Sequence, residues 1–357
     1  MKINNFSAGP SKIPKTVLDQ IAKDIIDYKD LGYSVLELSH RSTIFEKILS
    51  NTKAKLIQIL DIPQNFEIIF LQGGATFQNT FIPANKPSLL DNISFLISGT
   101  WGKKTHEDFQ KYYGKKIEKF DIPNGKDGMN KLISAVKRNQ SEYIYLTSNE
   151  TIEGIQIKNT QLFTEKKLII DMSSDFCSYH FDWHNISFLY AGAQKNLGIP
   201  GVTVCIFDTD FGEENNLTSY LNIQNHIDKK SAFNTPPTFS IYVMLKMLNW
   251  IESNGGLKEL ESRNISKAKK IYSFMEDKES NLTLLAPKLW RSNANIVFDF
   301  KDKNLTELFL QESIENGFIG LNGHRSVGGV RVSNYNSVTE EMVADFLLFL
   351  EKFISSN

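Results

Sequence analysis

The chain has 357 residues and a formal net charge of −1, with 41% hydrophobic and 23% charged residues. A chain of this length exceeds one typical hydrophobic core, so we expect two domains. Its nearly neutral charge gives no reason to expect nucleic acid or an anionic membrane as a partner. The two cysteines, Cys177 and Cys205, form no disulfide framework and have no metal-ligand spacing, so we expect no metal site. The N-terminus lacks an apolar signal-peptide core, and no apolar run reaches the roughly 18–20 residues of a membrane span, which predicts a soluble cytoplasmic protein.

Short apolar runs alternate with helix-like stretches through the first two thirds of the chain. Residues 1–15 are expected to form an irregular arm, and a helical pattern follows from residue 16 to about residue 30. Each apolar run ends in small or polar residues, as buried strands do; the runs cover residues 66–71, 93–97, 116–120, 143–146, 168–170, 186–190 and 202–207. Helical stretches such as 103–113 and 129–138 lie between them. This order predicts an α/β fold with a mostly parallel central sheet that is covered by helices.

The pattern changes after the two prolines at 236–237. A long apolar helix is predicted over 240–253; it stops at Gly255-Gly256, and a second helix follows over 257–276. A smaller α+β unit is then predicted, with strands at 295–300 and 329–333 around a helix at 305–316. A last helix spans about 338–355, where Ser337 and Glu340 fit a capping box. We therefore predict an N-terminal arm (1–15), a large domain (16–255) and a small C-terminal domain (256–357).

The strongest chemical signal is a lysine that follows a buried strand. The apolar run 186–190 leads into small residues and then into Gln194 and Lys195. Ligands of open α/β sheets bind at the carboxyl ends of the strands. A lysine in such a cleft is desolvated, which lowers its pKa and frees the amine as a nucleophile. On this segment alone, an ordinary surface lysine in a loop is an equally good interpretation.

An aspartate ends another apolar strand. Asp171 follows the run 168–170, and a carboxylate placed against a pyridine nitrogen keeps that nitrogen protonated, which makes the ring an electron sink. Aspartate is also common as a helix N-cap or turn residue, and that interpretation is favoured for Asp171 alone. The presence of Lys195 at the end of a neighbouring strand strengthens the cofactor interpretation.

Weaker signals surround these two residues. Gly73-Gly74 follows a strand and could bring backbone N–H groups to a phosphate, although a simple tight turn fits as well. Trp101 also follows a strand and could stack on a flat cofactor or pack in the core. The remaining candidates could bind an anion; they are His40-Arg41, His324-Arg325 and Arg331. Each of these side chains, taken alone, is more often simply solvated.

Over nearly its whole length, the sequence resembles the phosphoserine aminotransferase family of class V, fold-type I pyridoxal-phosphate aminotransferases. The most specific matching segments are Ala-Gly-Ala-Gln-Lys-Asn at 191–196, Asn-Thr-Pro-Pro-Thr at 234–238 and Gly-His-Arg at 323–325. Further matches are at 6–10, 39–41, 73–74, 101–102, 148–154, 171–174, 327–329 and 331.

The resemblance implies a role for each matching residue. Lys195 would carry pyridoxal phosphate as a Schiff base and move protons, and Asp171 would pair with the ring nitrogen. The cofactor would further contact the stacking Trp101, Thr151 near the ring hydroxyl, Gln194 beside the phosphate, the backbone of Ala75 and Thr76, and Asn234 and Thr235 reaching in from the neighbouring subunit. The substrate's carboxylate and phosphate would bind Arg41, His324, Arg325 and Arg331.

The implied reaction moves an amino group from glutamate to 3-phosphohydroxypyruvate, giving O-phospho-L-serine and 2-oxoglutarate in a ping-pong cycle of serine biosynthesis. Family members also act on a related four-carbon phospho-oxo acid on the route to pyridoxal phosphate. The enzyme would be a homodimer with shared sites. Many bacterial members carry an arginine in the glycine-rich loop, but this chain has Gly74-Ala75-Thr76, so the full set of substrate-phosphate contacts is not implied.

Other activities are compatible with parts of the sequence. Another class V aminotransferase, acting on a non-phosphorylated small amino acid, would have no use for the segment 323–325 as a phosphate receptor. A cysteine desulfurase needs a reactive cysteine in the smaller domain, and neither Cys177 nor Cys205 lies there. A non-catalytic binding protein of this fold would be favoured by loss of Lys195 or Asp171, and both are present.

Overall fold

The computed structural model describes residues 2–123, 125–213 and 216–357. The helices of these ranges are α1 (Lys15–Ile26), α2 (Thr43–Leu60), α3 (Gly74–Asn85), α4 (Thr100–Tyr113), α5 (Gly125–Arg138), α6 (Ile223–Asp228), α7 (Thr238–Ser253), α8 (Gly256–Asp277), α9 (Lys303–Glu315) and α10 (Glu340–Ser356). The strands are β1 (Asn4–Asn5), β2 (Phe66–Leu71), β3 (Ile93–Ile97), β4 (Lys119–Asp121), β5 (Tyr143–Thr147), β6 (Asn149–Glu150), β7 (Ile155–Gln156), β8 (Lys167–Asp171), β9 (Ile186–Gly192), β10 (Thr203–Asp208), β11 (Leu282–Leu284), β12 (Asn295–Phe300), β13 (Phe318–Ile319) and β14 (Val330–Ser333).

A seven-stranded sheet with the order β2-β10-β9-β8-β5-β3-β4 forms the centre of the fold. From β9 to β4 the neighbouring strands are parallel, whereas β10 runs antiparallel to both β2 and β9. Strands β3, β5 and β9 are buried along their whole length. A strand that is covered on both faces carries apolar residues on both, which explains the continuous apolar runs of the sequence. The predicted α/β fold with a mostly parallel sheet is confirmed.

Helices cover both faces of this sheet, and alternate strand residues point to opposite sides. Helices α1, α2 and α7 share a hydrophobic core with one face, to which Ile144 and Leu189 belong. Helices α3 and α4 cover the other face, where Tyr145 and Tyr190 are buried. This second face carries the cavity described below.

A second hydrophobic core lies between the antiparallel sheet β11-β12-β14 and helices α8, α9 and α10. The N-terminal arm belongs to it, because β1 pairs with β13 and Phe6 is buried in the same core. Helix α8 joins the two cores: Leu257 contributes to the large one and Ala268 to the small one. The expected division at residue 255 stays a prediction.

The ends of several elements differ from the sequence-based expectation. The last helix begins at Glu340 and is capped by Thr339, whose side chain accepts from the backbone N–H of Met342 at 3.2 Å. The predicted capping box of Ser337 and Glu340 is therefore wrong, because the Ser337 hydroxyl instead donates to the carbonyl of Lys12 in the arm. Helix α2 was not anticipated. Its 18 residues carry several buried apolar side chains that pack against α7.

The described residues include no helix that is long and apolar enough to cross a bilayer. Within the same ranges, no group of His, Cys, Asp and Glu side chains is arranged to hold a metal ion. Cys177 and Cys205 are both buried as free thiols, and burial raises the pKa of each.

Candidate active site

A cavity of about 300 Å³ lies at the carboxyl ends of the parallel strands, on the α3 and α4 side of the sheet. This is where ligands bind in open α/β folds, and the volume is at the lower end of the usual range for ligand pockets. It brings together these residues predicted from the sequence: Gly74, Ala75, Thr76, Trp101, Asp171, Gln194 and Lys195.

Lys195 follows β9 after a short turn, and its half-buried side chain enters the cavity. Its ammonium donates to the hydroxyl of Thr151 at 2.9 Å. Desolvation lowers the pKa of Lys195, although the negative charges of Asp171, Asp175 and Glu150 oppose this effect. The result is an amine that loses its proton more easily than an exposed lysine and that is held in one direction.

Asp171 is the last residue of β8 and is only 8% exposed. One carboxylate oxygen accepts from the backbone N–H of Ser173 at 2.8 Å. Burial raises the pKa of Asp171, and the hydrogen bonds from Ser173 and the charge of Lys195 counteract the shift. The side chain therefore offers a directed carboxylate that needs a cationic partner in the cavity.

The start of α3 forms an anion cradle at the same cavity. Gly73 and Gly74 have φ angles of 96° and 69°, in the left-handed region that glycine tolerates, and this bend directs the first backbone N–H groups of the helix outward. No side chain caps these groups. The N–H groups at Ala75 and Thr76 are thus available to a phosphate, which the helix dipole also favours.

Trp101 lies in the first turn of α4 and is 36% exposed at the cavity. Two acidic side chains hold this turn. Glu150 accepts from the backbone N–H of Trp101 at 3.0 Å and of Gly102 at 2.8 Å, and Glu153 accepts from that of Thr100 at 2.9 Å. Burial raises the pKa of Glu150 to about 8, and the two N–H donors act against the rise. The sequence did not reveal Glu150 and Glu153 as helix caps, although both lie in the segment 148–154 that matches the family.

Arg331 on β14 connects the small unit with the cavity. Its Nη1 is 3.4 Å from the carbonyl oxygen of Thr151, the residue that binds Lys195. Its Nε is buried and has no hydrogen-bond partner. A buried guanidinium N–H without an acceptor is costly, and a substrate carboxylate would supply the missing acceptor in bidentate form.

The other predicted contacts lie outside the cavity of the single chain. Arg41 and Arg325 are exposed, and His324 is half-buried, with Nδ1 2.7 Å from the hydroxyl of Ser326. Asn234 and Thr235 are exposed beside Gln72, whose amide lies 3.3 Å from the carbonyl of Thr235. None of these five residues lines the cavity that Lys195 enters.

The family model for class-V aminotransferases matches residues 3–346 of the chain. The chain belongs to this family of aminotransferases, and its cofactor is pyridoxal phosphate. The residues present fit that cofactor, because one cavity combines a lysine of lowered pKa, a buried carboxylate and an uncapped helix N-terminus.

Within this family, the chain is similar to several phosphoserine aminotransferases. The chain is 40% identical to a phosphoserine aminotransferase of Lysinibacillus sphaericus over 94% of each chain. Among solved structures, the phosphoserine aminotransferase of Bacillus circulans subsp. alkalophilus has a TM-score of 0.88 at 33% identity, with 99% of each chain covered. The pyridoxal-phosphate-bound phosphoserine aminotransferase of Trichomonas vaginalis has a TM-score of 0.88 at 29% identity, covering 98% of this chain and all of that one.

Proposed function

We propose that this chain is a phosphoserine aminotransferase, which exchanges the amino group between glutamate and 3-phosphohydroxypyruvate to give 2-oxoglutarate and O-phospho-L-serine. The observation that carries the proposal is the position of Lys195 in one cavity with Asp171 and the start of α3. The full-length similarity to phosphoserine aminotransferases supports the choice of substrate.

Different residues around the cavity would contact different parts of the cofactor. Lys195 would attach it covalently, Asp171 would pair with the ring nitrogen, and Trp101 would stack on the ring. Thr151 would contact the ring hydroxyl, and Gln194 and the backbone N–H groups of Ala75 and Thr76 would contact the phosphate. Pyridoxal phosphate, when bound, supplies a ring that accepts the electron pair released at the substrate's α-carbon.

The protein's own part in the reaction is to orient the substrate and move protons. Arg331 binds the α-carboxylate through its unpaired Nε. The Lys195 Nζ would act as the base that takes the proton from the substrate's α-carbon and as the acid that returns it. Its lowered pKa suits this task, since a base must be unprotonated near neutral pH. Thr151 Oγ1, 2.9 Å from Nζ, holds the amine in position.

Recognition of the substrate phosphate is assigned to Arg41, His324 and Arg325. A guanidinium fork matches phosphate geometry, and an imidazole adds a further N–H donor. Thr76 cannot supply the charge that an arginine in the glycine-rich loop would provide. These three residues therefore carry a larger share of phosphate binding here.

A coupled assay with 2-oxoglutarate tests this substrate. We expect phosphoserine to be used with a kcat/KM about 10²–10⁴-fold above that of serine, because the guanidinium contacts of Arg41 and Arg325 with the phosphate each contribute roughly 1.5–3 kcal/mol. An Arg325→Met variant should lose much of this preference while its rate with serine stays unchanged. Lys288→Met is the control, because Lys288 is exposed and does not line the cavity. Equal rates for serine and phosphoserine in the unaltered enzyme would favour an aminotransferase of non-phosphorylated amino acids.

We infer a homodimer in which Asn234 and Thr235 complete the cofactor-phosphate site of the neighbouring subunit. Both side chains are exposed in the single chain, apart from contacts with Gln72, and they lie on a segment without an assigned helix or strand. Exposed apolar side chains on α1 and the following turn, including Leu18, Ile26 and Leu36, offer further surface for a partner.

Mixing inactive subunits tests the shared site. Lys195→Ala and the double variant Asn234→Ala/Thr235→Ala should each be nearly inactive as homodimers. After joint refolding, roughly a quarter of the wild-type activity should return, because a random mixture is half hybrid and each hybrid has one intact site. No recovery, despite hybrids demonstrated by tag-based purification, would place all cofactor contacts within one chain.

The cellular location and the domain division also remain proposals. The bacterial phosphoserine aminotransferases that resemble the chain and its two buried free thiols support a cytoplasmic location. The separate hydrophobic cores support a large domain and a small C-terminal domain with α8 between them. Nucleic acid and membranes are not proposed as partners.

A further inference from the structure

The first turn of α4, which carries Trp101, is held by a side chain from a distant part of the sequence. Glu150 is the last residue of β6 and is fully buried. Its two carboxyl oxygens accept from different backbone N–H groups, one from Trp101 at 3.0 Å and the other from Gly102 at 2.8 Å. These N–H groups have no partner within the helix, because the first N–H groups of any helix lack one. A single carboxyl group therefore fixes the backbone of this turn at two adjacent points.

Two glycines make room for this contact. Gly99 has an extended backbone with a φ of −177°, which any residue can adopt, so its missing side chain matters for space alone. A Cβ atom there would lie 2.8 Å from Cδ of Glu150 and would also collide with Oε2 of Glu153. At Gly102, a Cβ atom would lie 3.2 Å from Oε1 of Glu150. Larger residues at 99 and 102 would thus displace the carboxyl groups in this closely packed region.

The segment that supplies Glu150 also holds Lys195. The next residue, Thr151, accepts from Nζ of Lys195 at 2.9 Å through its hydroxyl. Three residues further on, the carbonyl of Gly154 accepts from the backbone N–H of Ser292 at 2.9 Å. The segment is therefore anchored on both sides of the cavity. Because Glu150 and Thr151 are adjacent, it sets the position of the first turn of α4 relative to Lys195.

We propose that Glu150 is a positioning residue for Trp101, and that it sets how the indole ring stacks on the cofactor by fixing the first turn of α4 relative to Lys195. This inference rests on the proposed function, because it takes the cofactor to be attached to Lys195 and stacked on Trp101. Glu150 is fully buried and does not line the cavity, so it acts through the backbone of Trp101 and not by touching the cofactor.

Glu153 binds the same turn in a different way. Its Oε1 accepts from both the backbone N–H of Thr100, at 2.9 Å, and the hydroxyl of that residue. Its Oε2 is buried and has no hydrogen-bond partner in the part of the chain that the structure describes. Glu153 thus uses one oxygen, whereas Glu150 uses two.

This difference predicts opposite effects of glutamine at the two positions. A glutamine side chain has one acceptor oxygen and an NH₂ group that only donates, whereas a carboxyl group has acceptor capacity on both oxygens. Glutamine can therefore keep the contact that Glu153 makes with Thr100. At position 150 its NH₂ group would face a backbone N–H donor, and one of the two hydrogen bonds to the turn would be lost.

The test compares Glu150→Gln with Glu153→Gln by energy transfer from Trp101 to the lysine-bound cofactor. The chain has four tryptophans, so the share of Trp101 is obtained by difference from Trp101→Phe. We expect Glu150→Gln to lose much of this share. Its affinity for added pyridoxal phosphate should fall about tenfold, the equivalent of one net hydrogen bond. Glu153→Gln should match the unaltered protein in both measurements.

A double variant tests whether Glu150 acts through the indole ring. Once the ring is removed in Trp101→Ala, the further change Glu150→Gln should not weaken cofactor binding any more. The negative charge of Glu150 also raises the pKa of Lys195, which offers a second route to the cofactor. Additive losses of affinity in the double variant would mean that Glu150 acts by such a separate route, and they would refute the proposed role.

Glu213→Gln is the matched control. Glu213 also accepts from a distant backbone N–H, that of Ser88 at 3.2 Å, and it does not line the cavity. Its replacement should lower the melting temperature at most. If Glu150→Gln does not fold, Gly99→Ala tests the same contact from the helix side, because its Cβ atom displaces both carboxyl groups. It should weaken energy transfer from Trp101 and leave the cofactor attached to Lys195.

The outcomes separate this inference from the proposed function. If the unaltered protein gives no lysine-bound absorbance, or Lys195→Ala keeps it, the proposed function fails. If the unaltered protein binds the cofactor on Lys195 and Glu150→Gln equals it in energy transfer and affinity, the positioning role alone is refuted. Equal losses in Glu150→Gln and Glu153→Gln would also refute it, since they would follow from negative charge at the helix N-terminus and not from the two-point contact.

Discussion

Replacing Lys195 with alanine is expected to abolish covalent cofactor attachment and to lower transamination by about 10⁴-fold, since acid–base catalysis by one side chain contributes up to that factor. The variant loses both the amine that binds the cofactor and the base that moves the proton. The neighbouring Thr151 hydroxyl cannot replace it, because a hydroxyl is not basic near neutral pH. The yellow colour of the unaltered enzyme should be absent after dialysis of the variant.

Borohydride reduction followed by peptide mapping identifies the attachment site directly. Lys267 provides an internal comparison for this experiment, because it is also buried and burial lowers its pKa to about 7. Its ammonium donates to the carbonyls of Tyr335 and Val338, at 3.1 and 2.7 Å, and does not reach the cavity. We expect the label on Lys195 only. A label on Lys267, or an unchanged absorbance band in Lys195→Ala, would contradict the assignment.

Asp171→Asn is expected to lower kcat by about 10²–10³-fold, the scale of losing one preorganised electrostatic contact. The amide keeps the shape of the side chain but removes the charge that holds a proton on the ring nitrogen. The pH midpoint of the cofactor's absorbance should rise, because a ring with less positive charge leaves the nitrogen that joins Lys195 to the cofactor holding its proton more tightly. Asp171→Glu should not restore the rate, because the longer side chain cannot fit the same short, buried geometry.

Asp24→Asn is the control for burial of a carboxylate. Asp24 is 7% exposed, pairs with Lys246 at 2.8 Å and lies on the other face of the sheet. Its loss should reduce the melting temperature without moving the absorbance midpoint. If both aspartate variants titrate like the unaltered enzyme, Asp171 does not pair with the ring nitrogen.

Asp171 is a buried carboxylate whose pKa reflects opposing effects. Burial alone raises the pKa of Asp171 and favours its neutral form, which cannot hold a cation. The hydrogen bonds from Ser173 and the charge of Lys195 oppose that shift. The small cavity thus holds a lysine whose pKa is lowered by burial and an aspartate whose pKa is raised by burial, and the opposite charges of the two side chains counteract both shifts.

Much of the fold could be predicted because its signals are local. The strands at 66–71, 93–97 and 295–300 have the expected bounds, since a buried strand is a continuous apolar run. Helix ends were less certain: the capping box at Ser337 was wrong because a tertiary contact with the arm uses that hydroxyl. Helix α2 was missed, although its apolar residues recur with helical spacing.

The sequence by itself determined the α/β class, the lysine and aspartate at the ends of neighbouring strands, and the family, because each depends on short segments with strong local chemistry. Only the tertiary structure determined which other groups lie around the candidate site and hold its residues in position. Glu150 caps the helix of Trp101 from 49 residues away, Arg331 reaches Thr151 across 180 residues, and Tyr145 contacts Tyr190 across 45. Such long-range contacts cannot be predicted from a local sequence pattern. Strand order and register bring the two residues of each pair together, and both depend on the packing of the whole chain.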